Sequence, residues 1–115
     1  MVVAARDAER RLDNLTGTYP DACLAVELDI TDRHQATVAR SAALERFGRI
    51  DVLLNKAGVN QASTLEDISE EQLRDVMEVN LFGTLNVTRA FTDLARTEVG
   101  ACPIHLVARR ARRAP

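Results

Sequence analysis

The sequence predicts an α/β fold built on a parallel sheet with helices on both faces. Short apolar runs alternate with helical patterns of ten or more residues, and helix-capping signals fall at the junctions. Length agrees with this: 115 residues, 46% hydrophobic and 28% charged, bury about 65% of the surface the unfolded chain exposes, which is one core and not two.

The elements follow in chain order. Met1–Ala5 is an apolar run that stops at Arg6-Asp7 and reads as a buried strand. Asp7 is placed to cap a helix whose Ala8, Leu12 and Leu15 fall at i, i+4 and i+7, with Gly17 and Pro20 ending it. A second strand covers Ala22–Leu28. Asp32 and Gln35 have the spacing of a capping box, opening a helix with Ala36, Ala39, Ala43 and Phe47 on one face and Gly48 as its stop. The third strand is Ile50–Leu54. Beyond a loop, Ser69 and Gln72 form another capping box, with Ile68 and Leu73 spaced as a hydrophobic staple. The helix they open keeps its period through Val76, Met77, Leu81 and Leu85 and is expected to run to about Thr97 before Gly100 breaks it. Ile104–Val107 reads as a fourth strand that runs straight into arginines.

Composition excludes several classes of function. No stretch reaches the roughly 18 to 20 uninterrupted apolar residues that cross a bilayer, and Met1–Ala5 is too short for a signal peptide, so the expected location is cytoplasmic, with no membrane partner. Cys23 and Cys102 lack metal or disulfide spacing and read as reduced, buried thiols, which makes the sequons at Asn14 and Asn86 chance matches. His34 and His105 have no ligand partner at a useful spacing, so no metal is expected. The formal charge is −2, yet Arg109, Arg110, Arg112 and Arg113 crowd the last seven residues and leave the rest at −6. Such a tail can hold phosphates, but no aromatic residues interleave to stack bases and the acidic body repels a polyanion. Nucleic acid is therefore disfavoured. The expected organisation is a domain over 1–99 and an atypical, disordered arginine-rich tail over 100–115.

Specific residues take the reading further. The run from Phe47 to Gly58, Phe-Gly-Arg-Ile-Asp-Val-Leu-Leu-Asn-Lys-Ala-Gly, resembles the central segment of the short-chain dehydrogenase/reductase family, where a Gly-x-Ile-Asp strand leads into Asn-Asn-Ala-Gly. Val3–Arg6, Leu28–Asp32 and Val79–Gly83 agree with further family stretches in order and separation, so the resemblance covers residues 1 to about 97. It implies a Rossmann-type, doubly wound parallel sheet, present here in part, with the family's first strand and C-terminal strands missing. The implied activity is NAD(P)-dependent oxidoreduction of an alcohol or carbonyl substrate such as a ketone.

The resemblance also implies site residues. Arg6 follows Ala5, which stands where NAD-preferring relatives carry an acidic residue; a guanidinium there can fork onto a 2′-phosphate, favouring NADP while leaving NAD open. Asp29, with the backbone of Ile30, is implied to receive the adenine amino group, and Asn55, Ala57 and Gly58 to pack against the adenosine ribose. The plainer readings are a surface arginine at a strand end, an aspartate capping a turn, and a tight turn after a strand. Asn80 is a poor residue for mid-helix, because its amide competes for backbone hydrogen bonds. In the family it distorts the helix and holds a water of the catalytic proton relay.

The departures weigh equally. The Thr-Gly-x-x-x-Gly-x-Gly turn that holds the pyrophosphate has no counterpart in this sequence, nor do the catalytic serine and the Tyr-x-x-x-Lys pair. Tyr19 is the only tyrosine and lies in another loop; Lys56, the only lysine, replaces the second asparagine of Asn-Asn-Ala-Gly. The chain alone is thus expected to be inactive, losing a proton-transfer contribution of roughly 10² to 10⁴. In the order 3-2-1-4-5-6 the first strand separates the second from the fourth. Either Val2–Ala5 pairs directly with Ile50–Leu54, or another chain supplies a strand, or the edges stay open. The alternative function is a non-catalytic interaction module that associates with a full-length homologue.

Overall fold

The structure is a computed structural model that describes residues 1–97 and 104–106, with side-chain surroundings over 1–92. Gly100, Cys102, Val107 and the four arginines of the tail lie outside the described residues. The elements run β1 (Val2–Ala5), α1 (Ala8–Thr18), β2 (Leu24–Glu27), α2 (Arg33–Phe47), β3 (Leu53–Asn55), α3 (Glu70–Met77), a π-helical segment (Glu78–Gly83), α4 (Thr84–Thr97) and β4 (Ile104–Leu106). Alternation is as expected, and all pairing is parallel: Val2 to Ala5 stand opposite Leu24 to Glu27, and Leu53 to Asn55 opposite Ile104 to Leu106.

These ladders form two separate two-stranded sheets, β1 with β2 and β3 with β4. Direct pairing of β1 with β3, one of the three arrangements considered, is not what the chain adopts. A cleft of about 800 Å³ lies between them, walled by Val2, Val3 and Ala4 on one side and by Leu53 and Leu54 on the other.

Where elements start and stop is set by local chemistry, with three corrections. Asp7 does not cap α1 with its side chain; it sits in the left-handed region at φ 56°. Because Glu27 stands opposite Ala5 in the ladder, its carboxylate reaches the helix entry and accepts from the N–H groups of Asp7 (2.9 Å) and Ala8 (2.8 Å). An anion from the neighbouring strand thus satisfies the helix N-terminus. Gly17 does not stop α1, which continues to Thr18. At α2, Asp32 Oδ1 accepts from the N–H groups of His34 and Gln35, but the Gln35 amide oxygen accepts instead from the Asp29 N–H at 2.7 Å. The box is half made, and its other half fastens the preceding loop. Ser69 and Gln72 form the complete box, and Gly48 ends α2 at φ 76°, a conformation glycine adopts without steric cost.

Ala36, Ala39 and Ala43 are buried on one face of α2. Their small side chains let α2 lie close to α4, where Val87 completes a core with Leu28, and Val26, Ile30, Leu53 and Phe91 pack around it. Among the described residues no large side chain is fully buried. The core is thin where the cleft opens. Cys23 is buried and free, as expected.

Candidate functional site

The expected site residues fall in three segments that follow strands: Arg6 after β1, Asp29 and Ile30 after β2, and Asn55, Ala57 and Gly58 at the end of β3 and beyond it. The sequence predicts one continuous helix beyond them. In the structure it is interrupted: α3 stops at Met77, Glu78–Gly83 winds as a π-helix, and α4 resumes at Thr84. A π segment carries an extra residue per turn and turns side chains out of the α-helical phase. Asn80 sits inside it, where a helix distortion was implied.

Its amide grips the loop after β3 at one residue. Asn80 Nδ2 donates to the Val59 carbonyl at 2.8 Å, and Oδ1 accepts from the Val59 N–H at 2.8 Å. Both polar groups of one peptide residue are answered by one side chain, as a neighbouring strand would answer them. Gly58 lies against this clamp: a Cβ at that position would stand 3.1 Å from Asn80 Oδ1. Gly58 and Asn80, predicted separately, therefore meet.

Asp29 is set by its own turn. Its Oδ1 accepts from the Thr31 N–H at 2.9 Å and the Thr31 hydroxyl at 2.7 Å. The Thr31 hydroxyl and then the Thr31 amide hold the Asp29 carboxyl below its ordinary value, against an opposing effect of burial, and the charge of Arg6 adds the smallest lowering. Arg6 is exposed, and its charge adds a small bias toward the ionised form of that carboxylate.

Asn55 faces the helix: its Nδ2 donates to the Thr88 hydroxyl at 3.2 Å, and that hydroxyl donates to the Thr84 carbonyl at 2.8 Å. Ala57 and Lys56 are exposed. Asn55 braces the end of β3, and Asn80 the loop after it, onto the helical segments.

Sequence reasoning assigned no job to Gly83 and Asn86. A Cβ on buried Gly83 would fall 2.6 Å from Ile30 Cγ1 and 2.7 Å from Cδ1, so only glycine lets the π segment seat on Ile30. Asn86, 7% exposed, donates from Nδ2 to the carbonyls of Ile30 (3.2 Å) and Thr31 (3.3 Å) and accepts from Arg33 Nε at 3.0 Å. The stretch 80–88 is thus a bracket: Asn80 fixes the loop after β3, Gly83 and Asn86 fix the loop after β2, and Thr88 fixes the end of β3. The signal available was an asparagine flanked by apolar residues within an amphipathic run, read as a chance sequon.

His34 is exposed in the first turn of α2, and the side chain of His105 lies outside the described residues. Among the described residues no cluster of His, Cys, Asp and Glu could hold a metal, and no helix is long and apolar enough to cross a membrane.

A nucleotide fits this set of groups. The three segments offer an ionised carboxylate as hydrogen-bond acceptor, an exposed guanidinium for an anion, and a loop whose small residues allow close approach. Parallel strands with polar and small residues gathered in the segments that follow them are the arrangement of the doubly wound, Rossmann-type class of α/β protein.

The comparisons with known proteins place the chain within that class. The family profile described as short chain dehydrogenase matches residues 1–101, and the chain belongs to that family. An uncharacterized oxidoreductase of Schizosaccharomyces pombe is 39% identical over 75 residues, which is 65% of this chain and 32% of the relative. A short-chain dehydrogenase from Streptomyces avermitilis superposes with a TM-score of 0.81 at 37% identity, over 91% of this chain and 38% of its own. A 3-ketoacyl-(acyl-carrier-protein) reductase from Brucella melitensis, solved with NADH, gives 0.80 at 28% identity, over 91% of this chain and 45% of its own. The fold is Rossmann-type. The chain spans about a third of the length of the curated relatives it matches.

Proposed function

We propose that this chain carries the adenosine-binding part of an NAD(P)-dependent short-chain oxidoreductase that prefers NADP and acts on an alcohol or carbonyl substrate. One observation carries the reading: Asp29 is held ionised by Thr31, within electrostatic reach of the exposed Arg6, in the segments that follow β2 and β1. Asp29 and the backbone of Ile30 receive the adenine edge. Arg6 takes the 2′-phosphate, and Asn55, Ala57 and Gly58 form the wall for the ribose. The bound cofactor would supply hydride transfer. Asn80 holds the relay water of the family, and its present grip on Val59 keeps the loop after β3 in place for that role. With one tyrosine, Tyr19, and one lysine, Lys56, neither in a Tyr-x-x-x-Lys pair, the chain alone does not complete proton transfer.

Titration calorimetry with 2′,5′-ADP and with 5′-AMP, which differ only in the 2′-phosphate, tests this. The 2′-phosphate compound should bind about tenfold more tightly, a charge-assisted contact of about 1.4 kcal/mol, and Arg6→Ala should abolish the difference while retaining 5′-AMP binding. Equal affinity for both compounds in the unaltered chain refutes the NADP assignment.

The cleft between β1 and β3 favours a second reading, a non-catalytic module that associates with a full-length family member.

A further inference from the structure

Two residues, Arg6 and Asp7, join β1 to α1. Asp7 is the one non-glycine residue at positive φ among those described, at φ 56° and ψ 47°. That left-handed conformation costs free energy for a residue with a Cβ and persists only where the surroundings hold it. Arg6 directly precedes it, so the direction in which the guanidinium leaves the turn depends on what holds Asp7.

The aspartate does not hold itself, since its side chain makes no capping hydrogen bond. Glu27 holds it. Glu27 Oε1 accepts from the Asp7 N–H at 2.9 Å and Oε2 from the Ala8 N–H at 2.8 Å, one oxygen to each of two consecutive backbone donors. Register fixes Glu27 in turn: it stands opposite Ala5, and the next residue, Leu28, donates its N–H to the Ala5 carbonyl at 3.1 Å. Ala8 is only 3% exposed, so water does not readily replace the carboxylate at its N–H. The two bonds also keep the Glu27 carboxyl below its ordinary value, in the ionised form that accepts at both oxygens. Among the described residues the Arg6 side chain makes no hydrogen bond or ion pair. With both Glu27 oxygens taken by the backbone, the guanidinium stays open to an anion from outside.

We infer that Glu27 is a positioning residue for cofactor selectivity: by bridging the Asp7 and Ala8 N–H groups it keeps the turn left-handed and so presents Arg6 to the 2′-phosphate of the dinucleotide. It touches no cofactor itself, and the inference rests on the role proposed for Arg6. β2 thereby carries two tasks at one end, because Asp29, the proposed adenine partner, is two residues after Glu27. Adenine and 2′-phosphate are registered against each other through one strand. Glutamine at this position offers a single acceptor oxygen and turns its NH2 towards the second N–H, so it breaks half of the bridge at nearly constant shape. Charge alone predicts the opposite sign, since removing a carboxylate near a phosphate relieves repulsion and tightens binding.

The test is titration calorimetry with 2′,5′-ADP and 5′-AMP on the full chain, on Glu27→Gln and on Glu27→Ala, with hydrogen exchange of the Asp7 and Ala8 amides read by NMR. The preference of about tenfold for the 2′-phosphate compound should fall to about threefold in the glutamine variant and to about one in the alanine variant, while 5′-AMP affinity stays within about twofold of the unaltered chain. Exchange at Asp7 and Ala8 should quicken in the same order. An unchanged or increased preference in Glu27→Gln, or unchanged exchange at both amides, overturns the positioning role; if Arg6→Ala still abolishes the preference, the reading of Arg6 stands without it. A parallel loss of 5′-AMP affinity marks a merely structural cap and overturns it as well. Equal affinity for the two compounds in the unaltered chain removes the reading of Arg6 and this inference with it.

Discussion

Replacing Asn80 by alanine separates two effects that oppose each other. The substitution removes both 2.8 Å hydrogen bonds to Val59. Each is worth about 0.5 to 1.5 kcal/mol net, and because Asn80 is exposed water can replace part of this, leaving a loss of about 1 to 2 kcal/mol. Alanine in place of asparagine returns about 0.6 kcal/mol of helix propensity. Global stability should therefore fall by about 0.4 to 1.4 kcal/mol, a lowering of Tm by about 2 to 8 °C for a domain of this size. The loop after β3 loses the whole clamp, so exchange of the Val59 amide should quicken about 5- to 30-fold. Asn80→Asp sharpens the test. It keeps an oxygen for the Val59 N–H and loses the donor to the Val59 carbonyl, so Val59 should stay largely protected. Hydrogen exchange read by NMR at Val59 decides: an unchanged rate in the alanine variant, or equal rates in both variants, refutes the clamp.

Three further outcomes follow from the same geometry. Gly83→Ala should lower the denaturant midpoint, because overpacking against Ile30 costs about 1 to 3 kcal/mol and exceeds the roughly 1 kcal/mol that alanine returns in a helix; Ile30→Ala added to it should recover part of the loss. Asn86→Leu strands Arg33 Nε and the carbonyls of Ile30 and Thr31 without a partner and should cost about 1 to 3 kcal/mol in urea unfolding. In acid, the hydrogen bonds of Ala8 and Asp7 hold the Glu27 carboxyl below its ordinary value of 4.5, and Thr31 and Arg6 hold Asp29 below 3.8. Both carboxylates are depressed in the folded chain, so their stabilisation is fully present above those ordinary values and is lost as pH falls through the folded ones. Tm should be flat above about pH 6 and fall below about pH 4.5, and Glu27→Gln should flatten part of that fall.

What the sequence revealed and what it hid differ by range. Signals confined to four residues, such as the Ser69 box and the Gly48 stop, were legible because their partners are neighbours in the chain. Asp7 misled because its rival for the cap, Glu27, is 20 residues away and is brought there only by strand pairing. Gln35 misled similarly: its partner is Asp29, three residues beyond the box. The interruption of the long helix was legible in Asn80, whose residue type is costly inside a helix. Gly83 and Asn86 were not, since their work is defined by Ile30, more than fifty residues earlier. The extent of β3 also shifted, from Ile50–Leu54 to Leu53–Asn55, because an apolar run marks burial and not which residues find a ladder.

The six residues from Glu78 to Gly83 act as a phase adjuster on a long rod. Each residue gained or lost in a helix rotates everything downstream by about 100°. Excising a single codon there would carry Val87 to the place of Asn86, beneath the carbonyls of Ile30 and Thr31, and Thr88 to the apolar place of Val87. Point changes in this stretch test individual contacts, but its length sets the angular registration of the whole second half of the rod, and a deletion that spares every named side chain would still misaim them all.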